Sequence, residues 1–283
     1  MKVITNKMIE MFKEYLQNEE KAQATVEKYV RDVVVFRQWL DGADVTKTVV
    51  LAYKQELVEK YAPASVNAAL SSLNCFFNFV EWYDCRVRAL KIQKSLFRNE
   101  EKELSKKEYE RLLAVAKQRS NQQLYFLMQT ICSTGIRVSE LGFITMEAIK
   151  KGKAVIRCKG KTRIVFLPME LCRMLKGYAA ERSIKTGPVF VTKTGKPLDR
   201  SNIWKMMKQL CKTANVSENK VFPHNLRHLF AITFYSVQKD IVRLADLLGH
   251  SNVNTTRIYT METGEIHRLQ MQKLGLLQHW FTT

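Results

Sequence analysis

Apolar residues recur at spacings of three and four through the first ninety positions, with no strand pattern among them. From Val26 the series runs Val26, Tyr29, Val30, Val33, Phe36, Leu40; after Pro63 it runs Val66, Ala69, Leu70, Leu73, Phe76, Phe77, Val80. Each series marks one face of a helix. Thr25 and Gly42 supply a start and a stop for the first, and Ser65 opens the second. Residues 5–17 and 46–60 read as two more helices. The aromatics Tyr29, Phe36, Trp39, Phe76, Phe77, Phe79 and Trp82 share the helical spacing and are expected to pack a core rather than to stack on bases.

The character changes at 86–103, where RVRALKIQKSLFRNEEKE is charged and poorly periodic. This divides the chain into a helical domain at 1–95, a linker at 96–103 and a second domain at 104–283. That domain opens with a capping box, Ser105 with Glu108. Helices are expected at 121–133, closed by Gly135, and at 137–149. Alternating segments at 154–157 and 163–167 read as a hairpin, and 187–192 as a third strand. Further helices are expected at about 200–213, 224–237, 241–248 and 264–279. The fold class is therefore mainly α with a small antiparallel sheet (α+β).

Charge narrows the function. The chain carries 46 Lys+Arg against 27 Asp+Glu, a net +19. Such self-repulsion is best relieved by a polyanion, nucleic acid first and an anionic membrane surface second. No apolar run is long enough to span a bilayer. Met1 is followed by Lys2 and a mixed stretch unlike a secretory signal. The six cysteines form no CxxC pair and no zinc-ligand spacing, so a reduced, cytoplasmic protein with free thiols is expected.

Three segments carry chemistry: Thr134–Leu141 (TGIRVSEL), His224–His228 (HNLRH), and Leu247–Asn252 (LLGHSN) followed by Thr255–Tyr259 (TTRIY). Between the first two lies a basic hairpin, Lys150–Arg163, with seven cations and no acid in fourteen positions. Arg137 and Arg227 can each grip a phosphate through a planar fork of donors. His224 and His250 can move protons near neutrality. Tyr259 supplies a hydroxyl that nearby cations would push toward phenolate. No carboxylate cluster suited to magnesium accompanies them, so no cofactor is expected. His224 and His228 share a helical face, but no HExxH pattern supports zinc.

The order Arg, Lys, His-x-x-Arg, His, Tyr resembles the tyrosine recombinase (phage integrase) superfamily of integrases and Xer-type recombinases, most strongly over 134–260. The N-terminal helices resemble the core-binding, SAM-like domain of that family. The resemblance implies a two-domain clamp on duplex DNA and these roles: Arg137, Arg227 and His250 on the non-bridging phosphate oxygens, Lys159 as acid toward the departing 5′ oxygen, His224 in proton transfer, Tyr259 as nucleophile. Lys161 is an alternative to Lys159. It also implies DNA with an inverted-repeat core site, a homodimer on one site and a homotetramer in the synapse, an accessory directionality factor, and a bacterial, nucleoid-associated setting. The tail from Glu265 to Trp280 could pack on its own domain, whereas the resemblance implies docking on a neighbouring protomer. Rivals are a type IB topoisomerase-like enzyme, which shares the chemistry without synapsis, a non-catalytic site-specific DNA-binding protein, which would not need Tyr259, and an RNA-binding protein, which would share the charge alone.

Overall fold

A computed structural model describes residues 2–92, 100–158, 161–192 and 194–260, with 268, 271–274 and 276. The chain divides into two compact units, Met1–Lys94 and Ser95–Thr283.

The first unit holds four helices: α1 (Asn6–Asn18), α2 (Gln23–Leu40), α3 (Lys47–Lys60) and α4 (Pro63–Phe79). Thr5 and Thr46 cap α1 and α3 by accepting from the backbone amides of Met8 and Val49, and Pro63 starts α4 where a missing N–H is harmless. The core is aromatic. Phe12, Phe36, Phe76 and Phe77 are fully buried, and the Phe12 and Phe76 rings meet edge to face at 5.3 Å. Tyr29, Trp39, Phe79 and Trp82 pack around them, as their spacing predicts. Two asparagines of α4 then hold the exit segment. Asn74 exchanges a pair of hydrogen bonds with the Val87 backbone (2.8 and 3.0 Å), and Asn67 does the same with Leu90 (3.0 and 2.7 Å). Each side-chain amide stands in for a strand partner, satisfying a backbone that has none.

The second unit begins with α5 (Lys106–Gln118). Its capping box is formed in both directions between Ser105 and Glu108. Next come α6 (Gln122–Thr134), α7 (Met146–Lys151), the antiparallel strands β1 (Lys153–Cys158) and β2 (Lys161–Phe166), then α8 (Met169–Glu181), α9 (Arg200–Ala214), α10 (Pro223–Gln238) and α11 (Ile241–Leu248). Short 3-10 turns cover Val138–Phe143, Val253–Thr255 and Arg257–Tyr259. The strands pair in one register, Ile156 opposite Arg163. Their inward residues Ala154, Ile156 and Val165 join a core built on Leu124, Leu127, Met128, Leu175, Met207 and Leu226.

Two expectations need correction, and one helix is added. Residues 187–192 form no ladder strand. Pro188 and Val191 make only isolated bridges, to Thr145 and Pro197, while Val189 and Phe190 are buried. The apolar run signals burial, and Pro188 has no amide to donate. Residues 137–149 are not one helix: a 3-10 turn ends at Phe143, and Thr145 caps α7 afresh by accepting from the Ala148 amide. Helix α8 went unrecognised in the sequence, although Leu171, Cys172, Leu175, Tyr178 and Ala179 are its buried face. The described cysteines Cys75, Cys85, Cys132, Cys172 and Cys211 are free thiols. Most of the expected helix at 264–279 lies outside the described residues.

Gly135 closes α6 at φ 64°, and a Cβ there would stand 2.5 Å from the Phe230 ring. A rigid ring cannot yield as a flexible chain end would. Gly135→Ala is therefore expected to cost about 2–4 kcal/mol, left-handed strain plus overpacking. A urea midpoint unchanged from the wild type would contradict that.

Candidate active site

The site is assembled at the C-terminal end of α11. Gly249 turns the chain out of that helix at φ 64°, leaving the last carbonyls without helical partners. Three arginines from three other elements supply donors. Arg163 of β2 donates Nη1 to Leu247 O at 2.8 Å, Arg227 of α10 donates Nη2 to Leu248 O at 2.8 Å, and Arg137 donates Nη2 to Gly249 O at 3.4 Å. Cations at the negative end of a helix are favoured electrostatically as well.

One carboxylate orders two of the three. Glu140 follows Arg137 in the 3-10 turn and is buried. Its Oε1 accepts from Arg137 Nη1 at 2.9 Å and its Oε2 from Arg163 Nη2 at 2.5 Å; Oε2 also accepts from the Arg137 backbone amide at 3.0 Å. Burial pushes the Glu140 carboxyl up, but the Arg137 amide and the two guanidinium partners outweigh it and hold it below the usual range.

Arg227 is 2% exposed and has no carboxylate partner among the described residues; it donates to Gly135 O at 2.5 Å, to Leu248 O, and to His250 Nε2 at 3.0 Å. Desolvation and the Arg137 charge pull its pKa down to about 10, which leaves it a cation at neutral pH. Three of its five N–H donors are used by these partners. The other two remain for Tyr259 and for an incoming anion.

The His250 ring is fixed on both sides. A guanidinium has no acceptor, so His250 Nε2 accepts from Arg227, and Nδ1–H donates to Thr256 Oγ1 at 2.9 Å. Thr256 is fully buried. Desolvation, then the charges of Arg227, Arg137 and Arg163, push His250 from the ordinary 6.5 down to about 4. Between those values the unfolded chain binds the proton that the folded chain refuses. This stabilisation is complete above about pH 6.5, declines as pH falls toward 4 and is gone below it. The wild type should therefore lose more of its urea midpoint than His250→Gln between about pH 7 and pH 4.5, because the carboxylates titrate alike in both and cancel in the difference. Parallel midpoints would contradict the assignment.

Tyr259 follows on the last 3-10 turn and is 4% exposed. Its ring meets His228 edge to face at 4.9 Å and stacks with His250 at 6.3 Å, beside Ala231, Leu244 and Leu248. The cations were expected to drive it toward phenolate. Burial wins instead: it raises the phenol above its ordinary value although Arg227 and Arg137 pull the other way. Tyr259 is a neutral phenol at rest, and its proton needs an acceptor.

His224, at the start of α10, is exposed beside Arg137, Arg200, Trp204 and Arg227. Surrounding chain first, then the charges of Arg227, Arg200 and Arg137, lower its pKa, so it is a neutral base at pH 7. Among the described residues, no hydrogen bond joins it to the other site residues. Arg137, Arg227, His250 and Tyr259 are thus brought together, and His224 lines a hollow with Arg137 and Arg227. Lys159 lies outside the described residues, as does the Lys161 side chain. Sequence reading missed Glu140, Arg163 and Thr256. Glu140 could have been found from its place three residues after Arg137, the spacing of a capping carboxylate. Among the described residues, no group of three or more His, Cys, Asp or Glu could hold a metal ion.

Comparison with known proteins adds a second line. The family model described as "Phage integrase family" matches residues 102–265, and "Phage integrase, N-terminal SAM-like domain" matches 9–83. Tyrosine recombinase XerA of Thermococcus kodakarensis is 31% identical over 282 residues, covering 96% of this chain and 97% of that protein. Tyrosine recombinase XerD of Halalkalibacterium halodurans is 29% identical over 265 residues, covering 84% and 87%. The crystal structure of XerA recombinase aligns with a TM-score of 0.52 at 26% identity, covering 98% of this chain and all of that one. A lambda integrase dimer bound to a core site shares the fold at a TM-score of 0.74 and 18% identity, covering 99% and 98%.

Proposed function

We propose that this chain, which belongs to the phage integrase family of tyrosine recombinases, cuts and rejoins DNA strands at specific sites through a 3′-phosphotyrosine on Tyr259. The observation that carries the reading is a charge imbalance. Among the described residues Arg137, Arg163 and Arg227 surround a single buried carboxylate, Glu140, with a buried tyrosine beside Arg227. A cage with that much uncompensated positive charge suits a phosphate whose negative charge grows in the transition state.

In this mechanism the Tyr259 oxygen attacks phosphorus and gives its proton to a base, the role assigned to His224. The bond from phosphorus to the 5′ oxygen breaks, and Lys159 protonates that oxygen as it leaves. Arg137, Arg227 and His250 hold the non-bridging oxygens. To donate there, His250 must carry a proton on Nε2, which it gains by accepting at Nδ1 from the Thr256 hydroxyl or by taking up a proton as anionic phosphate binds. A 5′-hydroxyl from a partner strand reverses the step, and the ester conserves the bond energy, so no ATP is required. Phosphate contacts by the excess cations position the duplex and make binding salt-dependent. A dimer on an inverted-repeat site and a tetramer in the synapse complete the proposal. Relatives support it: lambda integrase has been seen as a dimer on a core site and a tetramer on a Holliday junction.

The test uses duplexes drawn from the regions flanking the protein's own coding locus, nicked so that the cleaved fragment diffuses away. A protein–DNA adduct that forms in EDTA and maps by mass spectrometry to the peptide bearing Tyr259 is expected. An adduct on another residue, or none on any flanking sequence, would overturn the reading. Relaxation of a plasmid lacking any such site would redirect it to a topoisomerase.

A further inference from the structure

We propose that Arg163 is a positioning residue for strand cleavage, a strut that fixes Glu140 and the end of α11 to the β1–β2 hairpin and so aims Arg137 and His250 together. The inference rests on the function proposed above. Its basis is geometric. One guanidinium reaches Glu140 at 2.5 Å and Leu247 O at 2.8 Å. Glu140 in turn holds Arg137, and Leu247 lies three residues before His250. The side-chain stem runs across Gly249 so closely that a Cβ there would stand 2.3 Å from Arg163 Cδ. Only glycine at 249 admits the strut, and the same glycine makes the left-handed turn that delivers His250.

Stability alone is a poor reason for this residue. Its side chain is 14% exposed, and its Nε is buried with no hydrogen-bond partner among the described residues. A buried unpaired donor opposes folding, and well-packed apolar residues often replace buried ion pairs without loss. What an apolar residue could not do is hold two acceptors on different elements at fixed separation. Arg137, at 39% side-chain exposure, is open to substrate, whereas Arg163 faces its protein partners. The division of labour is that Arg137 touches phosphate and Arg163 sets where Arg137 and His250 stand.

Two full-length variants test this, Arg163→Met, which keeps the stem, and Arg163→Lys, which keeps the charge but cannot bridge both acceptors. Each is assayed for affinity to the nicked duplex, for single-turnover adduct formation at saturating protein, and for urea midpoint. Affinity within about threefold of wild type and a rate lower by about 10²-fold in both variants are expected, since small displacements of positioned groups cost rates of that order. Lysine, which keeps the ion pair with Glu140, should recover part of the urea midpoint lost in Arg163→Met without recovering the rate, which a merely structural role would not produce. Combining Arg163→Met with Glu140→Gln should slow the reaction no more than the worse single change, because both break one strut. Wild-type rates in the variants, losses confined to affinity or midpoint, recovery of rate by lysine, or fully multiplicative losses would each overturn the proposal. If the wild type itself forms no adduct, the function assigned to Tyr259 fails; an active wild type with indifferent Arg163 variants sinks only the strut.

Discussion

Phenylalanine at position 259 is expected to leave duplex binding intact and to remove the covalent adduct altogether, a rate loss of at least about 10⁵-fold. The change deletes one oxygen from a ring that is otherwise held by packing. That ring sits between His228 and His250 against Ala231, Leu244 and Leu248. Phenylalanine fills the same volume, so folding should shift by less than about 1.5 kcal/mol. Only the nucleophile and its interaction with Arg227 disappear. Binding draws on a different resource, the excess of cations over the whole chain. A gel-shift titration and an adduct assay on one preparation separate the two. Parallel loss of both would mean that Tyr259 supports the fold rather than the chemistry, and a residual adduct would mean that another residue attacks.

The sequence revealed the residue types of this site better than their states. Arg137, Arg227, His250 and Tyr259 stood out because each lies in a short string with local meaning: a helix-closing Gly135 before Arg137, a Gly249 before His250. The glycines were legible because a left-handed helix end needs them. What could not be read was the balance between burial and charge. Counting cations around Tyr259 predicts an acidic phenol, but the count carries no information about desolvation, which wins. The strut from Arg163 to Glu140 spans 23 positions and joins a strand to a turn. No periodicity encodes that contact.

The same distinction explains the fold. Helices α1–α4 were visible because each buries one stripe and exposes the rest. Val189 and Phe190 misled because a short apolar run says that residues are buried without saying whether their backbone pairs. Helix α8 was passed over between Pro168 and Gly187, although its buried positions recur as regularly as those of α2. A Gly at 177 inside it lowers helical propensity without ending the helix, because tertiary packing of the apolar face supplies most of a helix's stability.

Arg227→Lys should reduce single-turnover adduct formation by about 10³-fold while changing duplex affinity several-fold at most. Charge is conserved in this substitution, so any loss measures geometry. Arg227 joins Gly135 O, Leu248 O and His250 Nε2 at once, which a planar fork can do and a single ammonium cannot. Lysine would satisfy one carbonyl and release the other, and an orphaned buried acceptor costs about 1–3 kcal/mol. A lower urea midpoint is therefore expected alongside the rate. The two losses have separate origins. The first reflects the ends of α6 and α11 losing a common donor. The second arises because the transferred phosphoryl no longer meets an N–H group held in line by that fork. Magnitudes near 10²–10³ per lost donor are typical of groups that stabilise charge only in the transition state. His250 gives an independent check. With the fork gone, its Nε2 loses the donor that favours the neutral ring, so its pKa should rise from about 4, while burial and the charges of Arg137 and Arg163 still hold it below the ordinary 6.5. Proton titration of that ring by NMR in the variant would register the change directly. A full cleavage rate with lysine at 227 would show that charge alone is sufficient there, and the fork would lose its role.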